Sequence, residues 1–159
     1  MKGSLSQRKA DDDDMQIPSR GRLLGIDYGT VRTGVSVSDV NQKLASPLYN
    51  YQRVNRREDA GFFLSQTREF EAAGFVIGLP LHMNGDESDK SREARRYGRW
   101  LHSISNLPVA FQDERLTSAQ AETLLQTAEF TSRQRKARVD MLAAQIILQT
   151  WLDRRAESR

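Results

Sequence analysis

The sequence predicts an α/β domain built on a mixed five-stranded sheet, with three antiparallel strands followed by two parallel ones. Three short β-like runs joined by short links lie in the first third of the chain, which is typical of an antiparallel meander. After them, stretches of helical periodicity alternate with short, continuous apolar runs. Such apolar runs are typical of strands covered on both faces, and strand-helix alternation is typical of α/β folds.

The first half of the predicted fold contains strands at 22–27, 33–39 and 45–53, a helix at 56–73 and a strand at 75–79. In the helix, Phe62, Phe63 and Phe70 lie near one face at the helical period. Gly74 is predicted to stop this helix, because glycine commonly follows the last helical turn. The next strand is uniformly apolar, and Pro80 ends it.

The second half contains helices at 90–105, at 118–128 and from about 138, with a strand at 108–112. Tyr97 and Leu101 are on the predicted inward face of the first of these helices. Ser118 is the predicted N-cap of the second, since its hydroxyl can accept a hydrogen bond from a backbone amide of the first turn. Residues 131–136 are predicted to form a basic connector that leads into the last helix.

Length and composition predict one globular domain with a polar tail in front of it. The chain has 159 residues, no cysteine, and no apolar run of the roughly 18 residues that a membrane span needs. Residues 1–21 are polar and aperiodic and include the run Asp11–Asp14, so we expect a disordered tail at 1–21 and a single domain at 22–155. The start lacks the apolar core of a secretory signal, so the expected compartment is the cytoplasm.

Basic residues gather in three places along the chain, at 53–57, 90–99 and 133–138. Lys and Arg outnumber Asp and Glu by only 24 to 21, so the placement of the charges says more than their sum. Each cluster is either a solvated helix face or part of a track for nucleic acid, in which arginine and lysine neutralise phosphates.

Carboxylates lie at or just after the ends of two predicted strands and at the start of one predicted helix. Asp27 ends the first strand, Asp113 and Glu114 follow the last strand, and Asp140 lies at the start of the last helix. Two of these positions have a structural explanation, because Asp27 can bond within the turn that follows and Asp140 favours the positive end of a helix dipole. Acids that meet at one edge can instead bind Mg²⁺ or Mn²⁺, and two such ions can support phosphodiester cleavage. Acids and basic clusters together predict metal-dependent hydrolysis of a nucleic acid.

Four ordered motifs carry a resemblance to a known family. They are Gly-Ile-Asp-Tyr-Gly-Thr-Val-Arg-Thr-Gly at 25–34, Val-Ile-Gly-Leu-Pro-Leu at 76–81 with Asn84-Gly85 after it, Asp-Glu-Arg-Leu-Thr at 113–117 and Arg-Val-Asp at 138–140. With them the chain resembles the YqgF family of RuvX-like proteins over about residues 22–153. The resemblance implies an RNase H-like fold, similar to that of bacterial Holliday junction resolvases. It also implies a nuclease that matures the 5′ end of 16S ribosomal RNA from its precursor.

The same resemblance implies which residues form the site. Asp27, Glu114 and Asp140 are the implied catalytic and metal-binding acids, with Asp113 as a substitute for Glu114. The implied cofactor is Mg²⁺ or Mn²⁺. The loop that follows Gly-Leu-Pro-Leu departs from the family, which commonly has Asn-Met-Asp-Gly where this chain has His82-Met83-Asn84-Gly85.

Five side chains are predicted to bind substrate. Arg32 and Arg115 lie near the acids in sequence, and their forked guanidinium groups suit phosphate, although each could instead orient a neighbouring carboxylate through an ion pair. The other three lie in the loop that follows Gly-Leu-Pro-Leu and in the basic connector. The five residues are Arg32, Asn84, Arg115, Arg133 and Arg135.

The expected partners are precursor rRNA and ribosomal particles, with no membrane, for a chain that is a monomer or a weak dimer. One alternative is a Holliday junction resolvase acting on branched DNA, which would require a symmetric dimer. Another is a non-catalytic nucleic-acid-binding factor in ribosome assembly or transcription, which would need the arginines but not the acids. The stretch 25–30 is also similar to the first phosphate loop of actin-like and sugar-kinase ATPases, but the chain has no second copy.

Overall fold

The computed structural model describes residues 14–127 and 132–158, apart from the side chains of 125, 127 and 132–140. The strands are β1 Leu23–Asp27, β2 Arg32–Ser38, β3 Ala45–Gln52, β4 Gly74–Leu79 and β5 Val109–Asp113, and the helices are α1 Arg56–Glu69, α2 Asp89–Ser105, α3 Ala119–Thr127 and α4 Ser132–Glu157. The strands form one sheet in the order β3-β2-β1-β4-β5. β1 pairs antiparallel with β2, as β2 does with β3, whereas β4 lies parallel to both β1 and β5. The predicted mixed sheet is confirmed.

The two faces of the sheet carry two apolar cores. Because side chains alternate along a strand, Leu24 and Ile26 of β1 point to one face and Leu23 points to the other. Leu24 and Ile26 belong to the core that includes Phe63 of α1 and residues of α2. Leu23 belongs to the core that α4 completes with Leu148 and other residues. Each face of β1 therefore has its own helical layer.

Helix α4 packs close to the sheet at Gly25. The Ser36 hydroxyl of β2 donates a hydrogen bond of 2.7 Å to the Ala144 carbonyl, although backbone carbonyls in the middle of a helix ordinarily bond within the helix. A Cβ atom at Gly25 would lie 2.7 Å from the Leu148 Cβ and 3.0 Å from the Ala144 carbonyl oxygen. The absence of a side chain at Gly25 therefore sets the distance between α4 and β1.

We expect Gly25→Ala to lower the free energy of unfolding by about 1–3 kcal/mol, the usual effect of overpacking a close-packed core. Urea unfolding followed by circular dichroism measures the change. Gly61→Ala in α1 is the matched control, because a Cβ there meets nothing within 4 Å. Removing a glycine from a helix interior should raise the stability by about 0.5–1 kcal/mol. Equal effects of the two substitutions would contradict close packing at Gly25.

Gly74 does not stop the first helix, so that prediction is wrong. Helix α1 ends at Glu69, and the amide of its C-cap residue Phe70 still bonds to the Gln66 carbonyl. Glu71 then takes a positive φ of 48° and turns the chain. Gly74 is the first residue of β4 and pairs with Leu23 of β1. The sequence misled because a glycine after apolar helical periodicity is the common stop signal, whereas here a glutamate adopts the left-handed conformation.

The predicted connector at 131–136 is also corrected, since α4 begins at Ser132 rather than near residue 138. Arginine, glutamine, lysine and alanine are good helix formers, so charge density at this point does not interrupt a helix. Ser118 does cap α3 as predicted, because its hydroxyl accepts a hydrogen bond of 3.2 Å from the Ala121 amide. The residues that join α3 to α4, 128–131, lie outside the described residues.

Residues 14–21, which composition assigned to the tail, pack against the sheet. The Met15 amide donates to the Val109 carbonyl at 3.0 Å, and the Asp14 carboxylate accepts a hydrogen bond of 2.9 Å from the Phe111 amide. Ile17 is buried in the core beneath α4. The segment therefore covers the outer edge of β5, while residues 1–13 lie outside the described part of the chain. None of the helices in the described residues has the length and apolar character of a membrane span.

Candidate active site

The carboxyl ends of three parallel strands meet at one edge of the sheet, where α/β proteins commonly place their sites. β1 ends at Asp27, β4 at Leu79 and β5 at Asp113. Leu79 is the register partner of Asp113, and the Glu114 amide donates a hydrogen bond of 3.0 Å to the Leu79 carbonyl. This bond fixes the backbone that carries Glu114 beside the end of β4.

The structure brings Asp27 and Glu114 together. Their carboxyl groups are hydrogen-bonded to each other across the end of β4. Gly78 makes room for this contact, because a Cβ there would lie 2.5 Å from Oε1 of Glu114 and 2.5 Å from Cδ1 of Ile147. Since Ile147 belongs to α4, Glu114 lies on the face of the sheet that α4 covers. Two ionised carboxylates within hydrogen-bonding reach repel each other unless a proton or a cation lies between them.

Burial raises the pKa of Glu114 above its ordinary value. The hydrogen bond with Asp27 opposes the shift, the negative charge of Asp113 adds to it, and the positive charge of Lys90 again opposes it. The net direction is upward, so the carboxyl group binds a proton more readily than an exposed glutamate does. A bound cation would remove that tendency, because it favours the ionised form.

Asp140 lies in α4, and its side chain is outside the described residues. Ala144 of α4 contacts Gly25, whereas Arg155 near the other end of the helix bonds to the Ile17 and Pro18 carbonyls, before β1 begins. The backbone of residue 140 is four residues, about 6 Å along the helix axis, from residue 144 in the direction away from Arg155. The backbone of residue 140 therefore lies toward the carboxyl end of β1. Among the side chains that the structure describes, no three of His, Cys, Asp or Glu form a metal-binding group.

Asp113 is engaged with Arg115 rather than with Asp27. The Arg115 guanidinium donates to both Asp113 carboxylate oxygens, with Nη2 to Oδ2 at 2.6 Å, and the Arg115 amide donates to Oδ1 at 2.9 Å. Nη1 of Arg115 also donates to the Met83 carbonyl at 3.1 Å. The ion pair considered for Arg115 is thus present, and it ties the loop after β4 to the end of β5. Of the two adjacent acids, the structure places Glu114 at Asp27.

The remaining predicted substrate residues surround this edge without meeting in one group. Arg32 is exposed at the start of β2. Asn84 is exposed in the loop after β4, where its amide donates to the Asp86 carboxylate at 3.0 Å and its carbonyl accepts from the Asp86 backbone amide at 3.0 Å. Arg133 and Arg135 belong to the first turns of α4, and their side chains lie outside the described residues.

A cleft that the motifs did not predict lies at the same edge, on the face covered by α1 and α2. It has a volume of about 570 Å³ and is lined by Tyr28, Arg53, Tyr97, Trp100 and their neighbours. The Arg53 guanidinium lies 5.5 Å from the ring centres of both Tyr28 and Tyr97. The predicted inward position of Tyr97 on α2 is confirmed, but no pattern in the sequence indicated that Arg53 and Tyr28 would contact it.

The sequence profile of the RuvX family, described as Holliday junction resolvase, matches residues 21–154. The chain belongs to the RuvX family. The predicted resemblance to RuvX-like proteins is therefore confirmed. Curated relatives named "Putative pre-16S rRNA nuclease" include one from Rhodopirellula baltica, 40% identical over 86% of this chain and 79% of its own length, and one from Rhodobacter capsulatus, 38% identical over 92% of each chain. A third, from Lactococcus lactis subsp. cremoris, is 42% identical over 85% of this chain and 96% of its own length.

The fold of this RuvX-family chain is similar to that of a solved resolvase. The T. thermophilus RuvC structure in complex with a Holliday junction substrate superposes with a TM-score of 0.52, covering 87% of this chain and 97% of the RuvC chain. The two sequences are only 16% identical, so the likeness concerns the fold alone. It confirms the RNase H-like fold that the resemblance implied.

Proposed function

We propose that this chain is a metal-dependent endonuclease that matures the 5′ end of 16S rRNA from its precursor. The observation that supports this proposal most directly is the contact between the Asp27 and Glu114 carboxyl groups at the carboxyl ends of the parallel strands. The names of its curated relatives support the rRNA substrate. We expect the protein to act in the cytoplasm, with ribosomal particles as partners.

The residues present fit a hard divalent cation. Asp27 and Glu114 offer carboxylate oxygens that face each other, the donor type that Mg²⁺ and Mn²⁺ prefer, and Asp140 would complete the set from α4. When bound, such ions can activate a water molecule and stabilise the leaving oxygen of a phosphodiester. Arg32 and the basic turn at Arg133 and Arg135 would hold the phosphates, since guanidinium groups pair with them bidentately. Arg115 would position the loop after β4 through its bonds to Asp113.

Incubating the purified protein with precursor 16S rRNA and with a four-way DNA junction, each with Mg²⁺, with Mn²⁺ and with chelator, tests this function. We expect cleavage of the RNA at its 5′ end, only when a cation is present. Binding without cleavage under every condition would contradict the enzyme and favour a non-catalytic factor.

The family description makes a Holliday junction resolvase the second candidate. Resolution requires paired incisions in two strands, and a symmetric dimer supplies the two sites. We expect a monomer or weak dimer, so sedimentation of the protein with and without junction DNA separates the candidates. A stable dimer that cuts the junction symmetrically and leaves precursor rRNA intact would favour the resolvase.

A further inference from the structure

The cleft lined by Tyr28, Tyr97 and Trp100 borders the candidate active site from the other face of the sheet. In β1, Gly25 faces α4 and Ile26 faces α1 and α2, so alternation directs Asp27 toward α4 and Tyr28 toward the cleft. The acids and the cleft therefore lie on opposite faces of the sheet, on either side of the end of β1. A chain that follows the edge of the sheet would pass from one to the other.

Three aromatic rings form one wall of this cleft. The ring centres of Tyr28 and Tyr97 are 4.9 Å apart, and those of Tyr97 and Trp100 are 5.2 Å apart. Tyr28 and Trp100 are half-buried, so part of each ring is open to the cleft, whereas Tyr97 is buried behind them. Nucleobases stack on partly exposed aromatic rings of this kind, with little dependence on which base it is.

The charges around the rings favour a phosphate. Arg53, Arg56 and Arg96 line the cleft, together with the acids Asp59 and Glu93. Asp59 is already satisfied, because its carboxylate pairs with Arg53 at 3.4 Å and accepts hydrogen bonds from the Tyr51 hydroxyl at 2.8 Å and the Val54 amide at 3.0 Å. Arg56 and Arg96 are exposed and Glu93 is half-buried, so the rim beside the aromatic wall has a net positive charge.

We infer that this cleft binds one unpaired nucleotide of the substrate, close to the phosphodiester that is cut. The base would stack on Tyr28 and Trp100, and a neighbouring phosphate would lie against Arg96. A base inside a duplex has both faces covered, so only a single-stranded segment can supply this nucleotide. The inference rests on the proposed nuclease function and narrows its substrate to strands that are unpaired beside the scissile bond.

Trp100 offers a direct measurement, because the chain has only two tryptophans and Trp151 lies among residues of the α4 core on the other face. In a Trp151→Phe variant, with chelator present so that no cleavage occurs, Trp100 is the only indole. We expect a short single-stranded RNA to quench its fluorescence with the same midpoint as binding measured by anisotropy. The same RNA annealed as a blunt duplex should bind without quenching, and a single-stranded DNA arm shows whether the sugar matters.

Arg96→Gln tests the phosphate contact, with Arg92→Gln as the matched control. Both arginines are exposed on α2, but Arg92 pairs with Asp89 at 3.0 Å and does not line the cleft. Arg96→Gln should weaken binding of single-stranded RNA by about fivefold and lower the salt slope by about 1. Arg92→Gln should leave both nearly unchanged.

Three results would overturn the inference. If anisotropy reports binding while Trp100 emission stays constant, no base stacks in the cleft, and the nuclease proposal is unaffected. Equal quenching by the duplex would remove the requirement for an unpaired base. Failure of every nucleic acid to bind would overturn the inference together with the proposed function.

Discussion

Asp27→Asn is expected to lower cation-dependent cleavage of precursor rRNA roughly a thousandfold or more, because it removes a charged ligand from the pair that would hold the ion. The fold should persist, since the amide has the shape of the carboxylate and can still hydrogen-bond to Glu114. Binding of RNA should also persist, because the arginines proposed to bind phosphate are unchanged. Single-turnover cleavage, circular dichroism and anisotropy measure the three properties on one preparation.

Asp89→Asn is the matched control for this variant. Asp89 is a fully exposed carboxylate at the start of α2 and pairs only with the exposed Arg92 in the described contacts. The substitution also removes one negative charge, so it reproduces any general electrostatic effect on RNA affinity. Cleavage should remain near the wild-type rate. Full activity of Asp27→Asn would show that the carboxyl pair is not the hydrolytic centre.

The sequence could predict the sheet and the edge that carries the acids, because strand pattern and chain order determine both. It could not choose between Asp113 and Glu114, since neighbouring residues at a strand end differ only in the direction their side chains take. The choice depends on the register of Leu79 with Asp113 and on the open space over Gly78. Both are properties of three strands at once rather than of the local motif.

The aromatic cleft shows why some features at this edge of the sheet escape a sequence-based prediction. Its walls come from the turn after β1, the end of β3, the start of α1 and the middle of α2. Each of these segments has an ordinary local role, such as the N-cap Asn55 or the buried Tyr97. The packing of α2 against α1 and the sheet brings Tyr97 beside Tyr28 and Arg53. Long-range juxtaposition of this kind leaves no periodic signal in the chain.

Glu114→Gln is expected to abolish cleavage and, without a divalent cation, to raise the stability of the folded protein. Burial and the charge of Asp113 disfavour the ionised Glu114 in the fold, so a neutral amide of the same shape relieves that cost. A gain of about 1 kcal/mol, or about 3 °C in the melting temperature, is the size usual for relieving strain at a functional site. Adding Mg²⁺ should stabilise the wild type and not the variant, because only the wild type binds the ion. Differential scanning calorimetry with and without Mg²⁺ measures both effects.

The direction of the pKa shift of Glu114 determines how this gain in stability depends on pH. The pKa of Glu114 is raised in the folded state above its ordinary value of 4.5, so the wild-type side chain contributes stability below that value and loses it as the pH rises through the folded-state pKa. The advantage of Glu114→Gln should therefore be full at neutral pH and vanish in acid, and wild-type cleavage should decline as the pH falls through the same range. Asp113→Asn is the contrasting control, since it breaks the pair with Arg115 and should lower stability while cleavage continues. If Asp113→Asn abolished cleavage and Glu114→Gln did not, Asp113 would be the ligand beside Asp27.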